Sequence, residues 1–314
     1  MVTRTYRPIP VSRLASGTEL VLPIHEVTGD RPGPVLGVSA AIHGEEAVGT
    51  EIVYRFLTSY DLRGLAGRLR VLPVANPFSY AAITRNTPID MMNLNRVFPG
   101  NPDGMLTEQL AHKMAEGFLT GLDYYVDLHA GGAYPTVDYV YIINAEPLSR
   151  AFGSRLLYRP KDVPTGTSVS VTRAHNTPSV VVELGGGDVD QAAYVRRGIA
   201  GLANILKALR MLPGDPTPPP AQIVLREIAT LRPHHGGLLL PEVTTLGGEV
   251  AGGQVLGRIV SPYTFEELEI LRCPFDRGIM VLSQLTANVV EPGIFGCMIG
   301  NLGTAETERI DATS

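Results

Sequence analysis

Short apolar runs alternate with amphipathic stretches over the first two-thirds of the chain. Val35 to Ile42 (VLGVSAAI) is apolar and punctuated by glycine, the pattern of a strand buried on both faces. Glu45 to Leu57 then has helical spacing, and Leu69 to Val74 predicts another strand. From Leu106 to Leu119, Leu110, Met114 and Phe118 recur at i, i+4 and i+8, which predicts a core-facing helix. Tyr124 to Leu128 and Ser179 to Leu184 read as further buried strands. Asp190 is placed to cap a helix running to about Leu209, with Ile199, Leu202, Ile205, Leu206 and Leu209 inward. Strands alternating with helices predict an α/β layer fold with a largely parallel sheet.

Residues 213–220 (PGDPTPPP) break this texture. Five of the eight are proline, so neither a helix nor a central strand fits, and the segment reads as a semi-rigid connector. Beyond it, glycine pairs at 236–237, 247–248 and 252–253 separate short β-branched runs, and only Phe265 to Leu271 has room for a helical turn. The expected organisation is therefore an α/β domain at 1–212, a proline-rich linker at 213–220 and a small all-β domain at 221–314. The segments GGEVAGGQVLGRIV and CPFDRGIMV of the latter resemble a biotinyl/lipoyl-type barrel-sandwich. A carrier domain needs a modifiable lysine, and no Lys follows Lys207, so a carrier role fails on chemistry.

Composition narrows the partners. The chain of 314 residues is 44% hydrophobic and 18% charged, which supports a sizeable core and excludes wholesale disorder. A formal net charge of −5 without a basic block argues against nucleic acid and anionic membrane. Cys273 and Cys297, the two cysteines, are too few for a disulfide scaffold and read as reduced thiols. The first residues lack the apolar core of a signal peptide, and no uncharged apolar run approaches membrane-spanning length, so a cytoplasmic location is expected.

Four segments carry candidate chemistry. In AAIHGEEAVG, His43 ends an apolar strand and Glu46 follows three residues later, in the first turn of the predicted helix. An imidazole and a carboxylate so spaced can converge on one point, as two of the three protein ligands of a catalytic zinc; a structural histidine beside an exposed Glu is the plainer reading. In YYVDLHAGG, His129 also ends an apolar run, and ligand sites of open α/β sheets collect at the carboxyl ends of strands. Asp127 is expected on the opposite strand face, as a supporting group and not a ligand. In VVVELGGG, Glu183 follows four apolar residues; desolvation there raises a carboxyl pKa toward the range of a general base. The glycines at 185–187 leave room for a substrate to approach the backbone. A strand-end Glu paired with an Arg is the alternative. Between these segments, Arg85 is of a type that stabilises an oxyanion, and Asn95 with Arg96 of a type that grips a carboxylate. By spacing alone, each Arg also fits a surface or fold-stabilising role.

In order along the chain, H-G-x-E, N-P, an Arg followed by N-x-N-R-x-F-P-G, then D-L-H and V-E-L-G resemble the succinylglutamate desuccinylase/aspartoacylase family of the zinc carboxypeptidase clan. The resemblance covers roughly residues 30–210 and extends to the β-module. It implies a mixed, largely parallel sheet flanked by helices, and one zinc per chain on His43, Glu46 and His129. It also implies Glu183 as general base, Arg85 polarising the scissile carbonyl, and Asn95 with Arg96 holding a substrate carboxylate. Arg173 lies ten residues before Glu183, where some relatives place a second substrate-binding Arg, although SVTRAHN departs from their local sequence. Tyr263, the one Tyr after the linker, has no matching context for the Tyr that aspartoacylase-like members recruit from this region, and is not assigned.

The expected function is zinc-dependent removal of an acetyl- or succinyl-type acyl group from a small N-acyl amino acid by a homo-oligomeric enzyme, deacetylation of N-acetyl-diaminobutyrate being one form. A zinc carboxypeptidase uses the same ligands. A non-catalytic zinc scaffold would have no need of a desolvated Glu183. The β-module is expected to narrow the entrance or to form a subunit interface.

Overall fold

The computed structural model describes residues 2–187 and 189–309; residue 1 and residues 310–314, the outer ends of the two expected domains, lie outside the described residues. The strands of the first part are β1 (Thr3–Arg13), β2 (Glu19–Thr28), β3 (Arg31–Ala40), β4 (Ala66–Leu72), β5 (Tyr124–His129), β6 (Thr136–Ile142), β7 (Leu156–Tyr158) and β8 (Ser179–Gly185). The helices are α1 (Ala47–Ser59), α2 (Pro77–Ala82), α3 (Leu106–Met114), α4 (Glu146–Phe152), α5 (Ser168–Ala174) and α6 (Ala192–Ala208). The sheet runs β1-β2-β4-β3-β5-β8-β6, with β4, β3, β5 and β8 parallel and the outer neighbours antiparallel.

Alternation along the strands divides the sheet into two faces. Val38, Ala40, Val126, Leu128, Val180 and Val182 face α1 and α6, where they meet Ile52, Val53, Leu202, Ile205 and Leu206. Tyr125 faces the other side, toward Leu110, Met114 and Phe118 of α3 and the π-helical turn Ala115–Leu119 that extends it. Those three side chains are fully buried, as their spacing predicts; burial of each contributes about 1.5–3 kcal/mol. Asp190 Oδ1 accepts from the Ala192 N–H at the start of α6. Ile199 on α6 and Leu209, its C-cap, are only partly buried.

Several elements lie outside the sequence expectation. β1 and β2 form an antiparallel hairpin at the sheet edge. Pro8 and Pro10 interrupt the alternation of β1, and an edge strand tolerates them because one side needs no ladder bonds. Phe265 to Leu271 holds no helical turn: Phe265 lies in a hairpin turn, and Glu267–Arg272 is a strand paired with Val255–Val260. β-branched and aliphatic residues alternate too regularly there for a helix of one turn to compete.

The proline segment lies between α6 and β9 (Ala221–Leu225) without helix or strand, and the Thr217 N–H is held by Asn204 Oδ1 of α6 at 3.0 Å. The remaining strands are β10 (Ile228–Leu231), β11 (Gly237–Pro241), β12 (Glu249–Ala251), β13 (Val255–Val260), β14 (Glu267–Arg272), β15 (Arg277–Ser283), β16 (Asn288–Val290), β17 (Cys297–Asn301) and β18 (Glu306–Arg309). β14-β13-β11-β16 form a separate antiparallel sheet. β12, β15, β17 and β10 instead continue the main sheet, because β15 meets β6 at Leu282 and Thr136. β9 likewise pairs in parallel with β7. The β-module is thus hydrogen-bonded into the main sheet, and Ile279, Val281 and Leu225 share a core with Tyr139 and Leu156.

Candidate metal centre and active site

The centre lies at the carboxyl ends of β3, β5 and β8. β3 stops at Ala40, and Ala41 takes the left-handed φ of 51°, which is strained for a residue with a side chain. This turns the chain sharply before His43. Gly44 is required at the next position: a Cβ there would fall 1.9 Å from the carbonyl carbon and oxygen of Ser79. The Glu46 N–H then donates to the His43 carbonyl at 3.2 Å, and Glu46 is the N-cap of α1. Glu46 therefore stands just outside the helix, and it is this tight turn, not a shared helix face, that brings it to His43.

His43 Nδ1 lies 2.7 Å from Glu46 Oε1, and His129 Nδ1 lies 2.9 Å from Glu46 Oε2. One donor atom from each of the three falls within 4.8 Å of the others. The far sides of both rings are anchored: His43 Nε2 donates to Asn93 Oδ1 at 3.1 Å, and His129 Nε2 to Asp127 Oδ2 at 3.1 Å. Both Nδ1 atoms are thereby directed at one point, the arrangement that oriented metal ligands require. Asp127 thus shares the face of His129, since residues at i and i+2 of a strand do so, and the expectation of an opposite face is corrected. Ser39 and Ser168 hydroxyls donate to its two oxygens.

His43, Glu46, Asp127 and His129 are 3, 2, 1 and 4% exposed. Burial pushes the Glu46 carboxyl up, but His43 and His129 outweigh it and hold it well below the usual range. Burial pushes His129 down, and Asp127 and Glu46 more than reverse this. Two buried carboxylates about one imidazole favour positive charge at their centre. Two nitrogens and a carboxylate are the donor set of a catalytic zinc site, so these residues fit that ion.

Glu183 faces this centre from the next strand, in register with His129 across β5 and β8. Among the described residues it has no hydrogen-bond partner, and burial lifts its carboxyl to about 8. The glycines after it have φ of +66°, +110° and +61°. They turn the chain so that the Gly187 N–H reaches the Gly132 carbonyl, joining the two site loops.

Arg85 lies in the loop after α2, with Nη1 3.4 Å from His43 Nδ1 and 3.5 Å from Glu46 Oε1. Asn95 and Arg96 sit in the 3₁₀ turn Leu94–Arg96. Asn95 Oδ1 accepts from the Ser168 N–H at 3.0 Å, while its amide nitrogen has no partner among the described residues. Arg96 donates to the Asn95 carbonyl at 2.6 Å and has no ion pair among the described residues. Burial, then the charge of Arg85, lowers its pKa. Arg173 stands apart, exposed in the last turn of α5, beside a hollow lined by Ile142, Arg159, Lys161 and Asp162. Tyr263 is 90% exposed at the β13–β14 turn.

Sequence reasoning left Asn93, Ser39 and Ser168 without roles. Asn93 stands inside the quoted N-x-N-R motif, a signal that was available; the two serines reach Asp127 only through the fold. Tyr139 and Tyr141 on β6 were also unassigned. Tyr139 pairs with Glu183, and the two hydroxyls lie 3.1 Å apart on the same sheet face.

Residues 32–209 match the catalytic domain of the succinylglutamate desuccinylase/aspartoacylase family. The chain is 26% identical over 277 residues to an N-alpha-acetyl-L-2,4-diaminobutyric acid deacetylase of Halomonas elongata, covering 82% of this chain and 80% of that one. A succinylglutamate desuccinylase structure from Silicibacter sp. superposes with a TM-score of 0.84 at 25% identity, over 96% of this chain and 94% of the other. The product-bound ectoine utilization protein EutE (DoeB) of Ruegeria pomeroyi has the same fold, with a TM-score of 0.84 at 23% identity over 96% and 95% of the two chains. The motif order, the fold and the profile match agree: the chain belongs to the succinylglutamate desuccinylase/aspartoacylase family.

Proposed function

We propose that the protein is a zinc-dependent amidohydrolase that removes the acyl group from a small N-acyl amino acid. The observation that carries this reading is the buried His43–Glu46–His129 donor set with an unpaired, desolvated Glu183 one strand away. A zinc ion held by the three ligands would supply a Lewis acid and lower the pKa of water to about 7. Glu183 accepts the proton of the attacking water and passes it to the leaving amine nitrogen. Arg85 donates to the developing oxyanion. The free amide of Asn95 and the unpaired Arg96 receive the substrate carboxylate, with Arg173 as a further, more distant candidate. The diaminobutyric acid deacetylase relative supports an acetylated diamino acid as the substrate form.

The module from residue 221 onward favours a deacylase over a carboxypeptidase. Phe295 meets Tyr134 at 5.7 Å between ring centroids, and the Ser283 N–H donates to the Pro135 carbonyl at 3.2 Å. The module therefore walls the loop that follows His129, as expected of a site for small substrates. Residues 1–212 form the catalytic unit in this reading, 213–220 tether the module, and the protein is read as a homo-oligomer. No helix among the described residues is long and apolar enough to cross a membrane, and the proposed reaction on a small metabolite suits the cytoplasm. The test is a screen of the zinc-loaded protein against N-acetyl-, N-succinyl- and N-formyl-amino acids and short peptides. Turnover of an N-acyl amino acid supports the reading; cleavage of peptides alone assigns a carboxypeptidase.

A further inference from the structure

In-register pairing lays two rows of side chains across the sheet face that holds the metal centre. His129, Glu183 and Tyr139 stand side by side on β5, β8 and β6. Asp127, Val181, Tyr141 and Tyr158 form the next row, on β5, β8, β6 and β7. Directly opposite residues share a face, with Cβ atoms about 4.5–5.5 Å apart. Glu183 is therefore flanked by a metal ligand on one side and a phenol on the other. The Asn95–Arg96 turn is tethered to the second row: the Ser168 N–H donates to Asn95 Oδ1, and the Ser168 hydroxyl to Asp127 Oδ2.

The two phenols of β6 differ in what they can still bond. Tyr139 is 4% exposed and packs with Ile279 and Val281 of the β-module, whereas Tyr141 is only partly buried. Their hydroxyls lie 3.1 Å apart, and neither makes another hydrogen bond among the described residues. Two hydroxyls carry two protons, and the bond between them uses one. If Tyr141 donated, the Tyr139 proton would be buried without an acceptor, which is costly. The favoured arrangement has Tyr139 donating to Tyr141, and it leaves the Tyr141 proton free. The Tyr141 ring is held between Tyr139 and Tyr158, at 5.3 and 5.5 Å between centroids, so its hydroxyl cannot swing away. Glu183 and Arg96 both act electrostatically on that hydroxyl, consistent with its place between them.

We propose that Tyr141, oriented by Tyr139, is the third donor of the substrate-carboxylate site formed with Asn95 and Arg96. This rests on the hydrolase reading above. A carboxylate offers about four acceptor positions, more than one guanidinium fork and one amide fill. Tyr139 acts through Tyr141 and is a positioning residue.

Two substrates that differ in the carboxylate alone provide the test: Nα-acetyl-2,4-diaminobutyrate and N-acetyl-1,3-diaminopropane. The zinc-loaded full chain should favour the first in kcat/KM. In Tyr141→Phe, which keeps the ring and its packing, that preference should fall about 10-fold or more, the range of a hydrogen bond to a charged group, and mainly through KM. Tyr139→Phe should lower it less, because Tyr141 keeps its own proton. A preference unmoved in Tyr141→Phe overturns the proposal, as does a larger effect in Tyr139→Phe. A fall in kcat for both substrates with KM unmoved also overturns it, and would make Tyr141 a partner of Glu183 instead. Calorimetry with free 2,4-diaminobutyrate and 1,3-diaminopropane needs no turnover. A preference for the amino acid that Tyr141→Phe weakens, without hydrolysis of any amide, would refute the hydrolase reading and keep the donor; hydrolysis with a preference that Tyr141→Phe does not change would do the reverse.

Discussion

Replacing Glu183 by Gln removes the proposed base and, with it, a charge that the fold holds at a disadvantage. The side chains are nearly isosteric, so packing between β5 and β6 is kept. Burial raises the Glu183 carboxyl from its ordinary 4.5 to about 8. The folded chain therefore binds this proton more tightly than the unfolded chain, and its stability falls as pH rises from about 4.5 through about 8. At about 1.4 kcal/mol per pH unit, the ionised group costs at most on the order of 5 kcal/mol. A zinc ion on the neighbouring triad would offset part of this in the holoenzyme. For a chain of this size each kcal/mol recovered raises Tm by about 2–4 °C, so Glu183→Gln should melt a few degrees higher at pH 9. The gain should be larger in chelator than in zinc, and should vanish near pH 4, where the wild-type carboxyl is protonated. The same variant should lose about 10²–10⁴-fold in kcat with its metal content intact. Thermal melts of both proteins at the two pH values, with and without chelator, give the comparison. A variant less stable than wild type at pH 9, or with the same offset at pH 4, would refute the desolvation argument; near-wild-type turnover would remove Glu183 from the mechanism.

Other outcomes follow from the same geometry. Asn93→Ala frees the His43 ring and should weaken zinc binding about 10–100-fold in chelator competition; unchanged affinity would mean that His43 needs no anchor. Arg96→Ala should raise KM more than it lowers kcat, while Arg85→Ala should lower kcat by roughly 10²–10³-fold, and steady-state kinetics showing the reverse would exchange the two roles. Deleting residues 221–314 strips β15 and β9 from β6 and β7 and bares Tyr139 and Leu156, so the remainder should aggregate or melt at lower temperature. A soluble fragment with unchanged Tm and substrate preference would deny the module both a structural and a selective role.

What was legible in the sequence depended on how local the signal was. His43, His129 and Glu183 each end an apolar run, and strand ends are where parallel sheets gather function, so their convergence is readable from the sequence. Glu46 was readable as a partner of His43 but through a helix face, whereas the strained turn at Ala41 and the close approach of Gly44 to Ser79 do the work. Asp127 was misplaced although the strand period places it beside His129. Its other contacts, Ser39 and Ser168, come from 88 and 41 residues away, and no local pattern announces them. The edge hairpin β1–β2 is hidden by Pro8 and Pro10, which break the alternation of β1 and which an edge strand tolerates. The pairing of β15 with β6 and of β9 with β7 is equally non-local: the proline segment reads as a boundary, yet strands beyond it return to the sheet.

The central claim is that His43, Glu46 and His129 hold a catalytic metal. It is tested most directly by a crystal structure of the zinc-loaded protein with anomalous data at the zinc edge. The account predicts one peak per chain, bonded to Nδ1 of both histidines and to the Glu46 carboxylate at about 2.0–2.2 Å, with Glu183 facing its open side. A zinc ion bound elsewhere at full occupancy, or no zinc between these three side chains at saturating concentration, would contradict it.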